Sequence, residues 1–467
     1  MRKYFFIALA LTAILFSPSQ AQGIDDALNL FSGSYLSNAR TLGMGNAFLS
    51  VSDDANAMYF NPAGLGLVKQ LEFTGGIDYE RISNSTTFFN ETNSYNNSKS
   101  GLNQFAFVLP FPTYKGSFSV GFSYNRSQNY IHAMQFSGLN PGTSRIKYLA
   151  DTNNYIPVDL YLADTNYSTP LIGKLYQSGI STNDGKLENW KLSASLEIAP
   201  NLFAGISLGV TSGKHSNEWS FNEADVNKLY ASVYADSTNP KTLGFQSFDI
   251  QNLRNLDISG FDMDLGILYQ IGDVGRFAIK IAFPKTITVK DELIADYVAN
   301  FPKVTYDYPV NDKIEYDITS PMVLSLGGSC NIMGLILSAD ATITDYTQMS
   351  FSSADFSFAE ENQAIKTNMR ATVNPNFGAE YTFADMGLRL RAGYFYEQSP
   401  YKNDPTSYNR KYYTYGAGFL VEDNISIDAA FVMGSWKTIG DNYGYELSRT
   451  YQDVTMTKLV LSFSYRF

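Results

Sequence analysis

Leu459, Leu461, Phe463, Tyr465 and Phe467 fall on one face of an extended chain, and Lys458, Ser462, Ser464 and Arg466 fall on the other. Such period-2 alternation makes a strand with one greasy side and one wet side. An aromatic final residue on such a strand points to a barrel in a bacterial outer membrane. There the apolar face meets lipid and the polar face meets the lumen. The last strand of a soluble sandwich is the alternative, and the remainder of the chain decides between them.

The other end agrees with the membrane reading. Arg2 and Lys3 precede an apolar run from Tyr4 to Phe16, followed by Ser17-Pro18-Ser19-Gln20-Ala21. This is the pattern of a secretory signal peptide over residues 1–21, cleaved after Ala21. The run is too short to span a bilayer as a helix, and no later segment reaches the roughly 18 apolar residues that would be needed. No cysteine follows the cleavage site to carry a lipid anchor.

Composition narrows the function classes. The 33 Tyr and 33 Phe suit the aromatic girdles of a barrel, and 17% charged residues is low for a soluble surface. Of 34 basic residues, removal of Arg2 and Lys3 leaves 32 against 45 acidic ones, a net charge of −13. That balance excludes nucleic acid as a partner. Cys330 is the sole cysteine, so neither an internal disulfide nor a multi-cysteine metal site is expected. The two histidines, His132 and His215, sit in no hydrolase motif. No catalytic residue, cofactor or metal is expected, although a tyrosine-ligated haem stays open.

Alternating segments are expected near 71–82, 102–111, 115–126, 187–199, 201–212, 255–271, 275–289, 316–331, 334–346, 367–382, 386–397, 410–421, 424–435 and 455–467. The fold class is therefore all-β: a transmembrane antiparallel β-barrel of about fourteen strands. Short links at 112–114, Pro200, 272–274, 332–333, 384–385 and 422–423 fall on the periplasmic side. Long, Asn/Ser/Tyr/Thr-rich links at 83–101, 127–186, 213–254, 290–315 and 436–454 fall outside. Acids such as Asp262, Asp264 and Asp428 alternate with apolar residues and must face the lumen, because a charge on the lipid face costs several kcal/mol. Arg370, Glu380, Arg389 and Arg391 are lumenal charges by the same test. A turn at Ala384–Asp385 would set Arg389 opposite Glu380 as a structural ion pair.

Residues 22–70 break this pattern. They are rich in Gly, Ala, Asn and Ser, and too apolar for a disordered tail. A fold into the lumen as a plug is expected, with residues 71–467 forming the barrel around it. Asp53 and Asp54 would cross-link turns through backbone N–H groups, and Asn61-Pro62 forces extended geometry at Asn61.

The run Ala39-Arg40, Gly43-Met44-Gly45, Ala47-Phe48, Asp53-Asp54-Ala55 and Asn61-Pro62-Ala63 resembles the N-terminal hatch of the FadL/TodX family. The likeness continues through Ser320-Pro321 to Asp340, Asp345-Tyr346, and Arg391-Ala392-Gly393-Tyr394 to Ser399-Pro400. The resemblance implies a fourteen-stranded outer-membrane channel for long-chain fatty acids and other hydrophobic compounds. It implies passive uptake, with ligand contacts near Gly23 and Ile24 and around the hatch residues Asp53, Asp54, Asn61, Pro62 and Ala63. It implies lateral exit at a kink in the third strand, for which Gly121 is the expected position. The expected partners are a hydrophobic small molecule, outer-membrane lipid and the barrel-assembly machinery that reads the C-terminal strand, with the protein acting as a monomer. The same architecture also resembles the shuttle protein of the type IX secretion apparatus, a protein-interaction role that stays open here.

Overall fold

The computed structural model describes residues 23–31, 38–422 and 424–467; the signal-peptide segment lies outside them. Among the described residues, eighteen strand segments form one closed antiparallel sheet. In chain order these begin with β1 (Glu72–Phe88), β2 (Glu91–Phe111), β3 (Phe118–Asn129), β4 (His132–Asn140) and β5 (Leu175–Ala199). Next come β6 (Leu202–Ala224), β7 (Ser247–Ile271), β8 (Gly275–Ala282), β9 (Thr286–Phe301) and β10 (Val304–Thr319). β11 (Val323–Ile332), β12 (Leu335–Asp345), β13 (Ser350–Ser352), β14 (Ala371–Phe383) and β15 (Leu388–Glu397) follow. The last are β16 (Arg410–Val421), β17 (Ile425–Asp441) and β18 (Arg449–Arg466).

Four staves are interrupted: β3 with β4, β8 with β9, β10 with β11, and β12 with β13. The two parts of each pair with the same neighbouring stave. The barrel therefore has fourteen staves, and each of the fourteen expected segments falls on one of them. It closes where β1 pairs with β18, from Glu72 opposite Arg466 to Thr87 opposite Tyr451. Closure pairs the first stave with the last, as a lipid solvent demands of a sheet that crosses it. Leu459, Leu461 and Phe463 stand exposed on the outer face, whereas Lys458 and Ser462 are buried inside. No described helix is long and apolar enough to cross a membrane.

Two of the expected long links are not loops. β1 and β2 run on to a tight turn at Phe89–Asn90, and β9 and β10 run on to Pro302–Lys303. Above the membrane both faces of a hairpin can be wet, so polar Thr- and Asn-rich stretches still pair as strands. The extracellular end is covered by α4 (Arg145–Asp151) and α5 (Ile156–Asp159) and by the Phe88, Phe136, Phe221, Phe248 and Phe301 cluster. Three further helices, α1 (Ile24–Phe31), α2 (Ala39–Gly43) and α3 (Ala57–Phe60), lie within the N-terminal segment, and α6 (Ala359–Asn368) lies in a loop.

Candidate functional site: a lumenal chamber beside a parted seam

Residues 38–68 lie inside the barrel and touch its wall on several sides. Ala39 N donates to Ser462 Oγ at 2.9 Å, Leu49 N to Asp340 Oδ2 at 2.8 Å, and Ser207 Oγ to the Met58 carbonyl at 2.9 Å. Gly45 has φ +61°, and a Cβ there would sit 2.6 Å from the Phe377 carbonyl, so only glycine fits this close approach. Asn61 is extended (φ −158°), as the following proline requires. Its side chain accepts from Ala63 N at 3.1 Å and donates to the Ile267 carbonyl at 3.1 Å, while Pro62 starts a short 3-10 turn.

Glu380, Asp53 and Asp54 meet at one residue to which sequence reasoning had given no role. Arg40 donates to both oxygens of Glu380 at 3.1 Å, to Asp53 at 2.6 Å and to Asp54 at 2.9 Å. Glu380 also receives Arg391 at 2.5 Å; Arg391 reaches Asp428 at 2.6 Å, and Arg276 reaches Asp53 at 3.2 Å. The expected pairing of Arg389 with Glu380 is therefore corrected. The turn after β14 is a 3-10 turn at Ala384–Met386 followed by Gly387 at φ +61°. It shifts the register by two residues, so that Arg391 faces Glu380 and Arg389 faces Thr382. Arg370 stands apart, donating to the Ser399 carbonyl at 2.8 and 3.0 Å beyond the start of β14. A second lumenal group joins Lys191 to Asp264 and, at 3.6 Å, to Asp262, with Lys280 at 3.6 Å from Asp264.

Above these charges the lumen turns apolar. Tyr130, Leu187, Leu256, Ile258, Ile287, Val289, Tyr316 and Ile318 form a chamber wall, joined by Met349, Phe351, Phe358 and Ile365 from the loop side. Ala27, Leu28 and Leu30 of α1 fill this chamber, with Ile24 and Phe31 packed against it. Ile24 thus lies at the apolar chamber, with Gly23 just before it in the chain, while Asp53, Asp54, Asn61, Pro62 and Ala63 lie lower, at the barrel wall. Beneath α1, a cavity of about 360 Å³ runs from Phe31 past Lys191, Lys280 and Lys285 to Leu49 and Phe60, and sideways to Ser127.

Ser127 marks a defect in the wall. β2 and β3 pair only from Gln104–Asn125 to Phe111–Phe118. Above that point β2 keeps only β1 as a backbone partner, while β3 and β4 stay with β5. Both staves carry an irregularity at the fork: Asn103 is the extra residue between Leu102 and Gln104, and the β3 register shifts between Arg126 and Gln128. The expected kink at Gly121 is corrected accordingly. Gly121 pairs regularly with Val108 and Ser193, and its missing side chain makes room for Met58 of α3, whose Sδ would lie 2.6 Å from a Cβ. Past the bulge the third stave bends under the first two, and Phe136 of β4 meets Phe88 of β1 edge to face with centroids 5.0 Å apart.

The comparisons agree with this architecture. A family model described as outer membrane protein transport protein (OMPP1/FadL/TodX) matches residues 176–467. A Pseudomonas aeruginosa FadL homologue superposes with TM-score 0.56 at 16% identity, over 93% of this chain and 99% of that one. The P. putida toluene transporter TodX gives 0.58 at 13% identity over 93% and 99%. The Ralstonia pickettii toluene transporter TbuX gives 0.50 at 15% identity over 92% and 98%. No curated protein matches the chain in sequence. With the family match extending over most of the barrel, the chain belongs to the OMPP1/FadL/TodX family of outer-membrane proteins, which take up hydrophobic compounds.

Proposed function

We propose that this protein is a passive, non-catalytic channel in which residues 22–70 serve as the hatch and ligands leave sideways between the second and third staves. The observation that carries this reading is an apolar cluster that seats α1, above a cavity that runs sideways to the fork at Ser127. Tyr130 and Leu187 belong to the chamber wall and also flank the bulge, so an apolar molecule in the chamber is already at the exit. Burial of each CH₂ is favourable by about 0.8 kcal/mol, which moves such a molecule from water into chamber and membrane without an energy source. Gly23 and Ile24 belong to the segment that a ligand displaces; Asp53, Asp54, Asn61, Pro62 and Ala63 anchor the hatch below it. Long-chain fatty acids and small aromatic hydrocarbons both fit an apolar chamber above a lysine-bearing cavity. We read the protein as a monomer surrounded by lipid, with its C-terminal strand presented to the barrel-assembly machinery. Among the described residues, no geometric feature favours a secretion shuttle.

The route is tested with Ser127→Cys in a Cys330→Ser background, labelled with a bulky maleimide. Labelling is expected to block uptake of labelled palmitate or toluene into proteoliposomes while ligand still binds. Unchanged uptake after complete labelling would remove the lateral route.

A further inference from the structure

Arg126 stands at the fork and is almost fully buried, with its side chain 4% exposed. By strand alternation it points outward with Tyr124, yet its partner is Asp78, which lies on the inner face of β1, two staves away. The contact exists because the third stave has bent inward. From that position an outward side chain runs along the inner wall of the barrel. Gly101 of β2 lies directly opposite Asp78 and clears the path: a Cβ at Gly101 would be 3.1 Å from Arg126 Nη1. Asp78 and its neighbour Glu80 are themselves held by Lys458 of β18, at 3.3 and 3.2 Å.

We propose that the Arg126–Asp78 ion pair is a brace that holds the third stave away from the second and so keeps the seam parted. Resting on the lateral-exit reading above, this makes Arg126 a positioning residue for transport. The reason is a competition between two arrangements. Residues 98–102 of β2 have no ladder partner in the third stave, and a straightened third stave would offer them one, as backbone groups in a low-dielectric wall favour. Something must outweigh that pairing. A buried, charge-assisted pair bound to the opposite side of the bend does so, because straightening the stave would pull Arg126 away from Asp78.

Arg126→Met is the informative substitution. It keeps an unbranched apolar stem, removes the guanidinium and leaves Asp78 paired with Lys458, so no buried carboxylate is stranded. The full chain is reconstituted in nanodiscs for amide hydrogen exchange and in proteoliposomes for uptake of labelled palmitate and toluene. The expected result is about tenfold slower exchange over residues 98–102 as the seam zips, together with loss of most uptake. Arg126→Lys, which retains the charge, is expected to restore both in part. Unchanged exchange in Arg126→Met overturns the brace, whatever uptake does. Slower exchange with wild-type uptake keeps the brace and overturns lateral exit.

Discussion

Arg391 shows what a single side chain can carry in this lumen. Its side chain is fully buried and divides its donors between Glu380 and Asp428. In Arg391→Met, Glu380 keeps Arg40 but Asp428 loses its ion-pair partner. Breaking one side of a buried ion pair costs on the order of 3–5 kcal/mol. The expected outcome is a lower unfolding midpoint in detergent, with Arg391→Met/Asp428→Asn recovering part of the loss. A midpoint equal to wild type would show that water reaches this web freely. The identities of Glu380, Asp53 and Asp54 were legible from alternation and motif. Arg40 stood in the motif, but its role was not legible, because a lone arginine in a Gly/Ala-rich segment carries no periodic signal.

Among the elements, α4 depends on a carboxylate from a distant strand. Glu223 of β6, far above the apolar belt formed by Ile206, Leu208 and Val210, accepts from Arg145 N at 2.6 Å and Ile146 N at 3.3 Å. It also accepts from Gln177 Nε2 at 2.5 Å. Burial pushes its carboxyl up to about 7, with the backbone donors, Gln177 and Arg145 opposing that rise. A carboxyl raised in the folded state contributes stability that is fully present below its unfolded value near 4.5 and is lost as pH rises through about 7. Limited proteolysis within residues 141–174 is therefore expected to be faster at pH 8 than at pH 5.5. Glu223→Gln should flatten that dependence, and a profile that stays steep in this variant would assign the titration to another group.

For the whole molecule, the proposed hatch is expected to decide whether the barrel leaks. Deletion of residues 23–68 is expected to raise small-ion conductance in planar bilayers by a large factor, because the segment's contacts reach β18, β12 and β6. An intact protein that already conducts as an open porin would refute the hatch. Fourteen staves, their inner and outer faces and the side of each turn were all readable from the chain. A strand's period is local, and a lipid solvent forces every apolar residue of the belt to one face. The positions of Arg391, Arg126 and α1 were not readable. A register depends on turn geometry, here Gly387 at φ +61°. A parted seam depends on which neighbour a stave abandons, and both the second and fourth staves bid for the third. An eight-residue helix such as α1 has no fixed seat until the chamber walls that bury Leu28 and Leu30 are assembled around it. The sequence by itself determined which face of each strand meets lipid; the closed sheet alone decided where the wall comes apart.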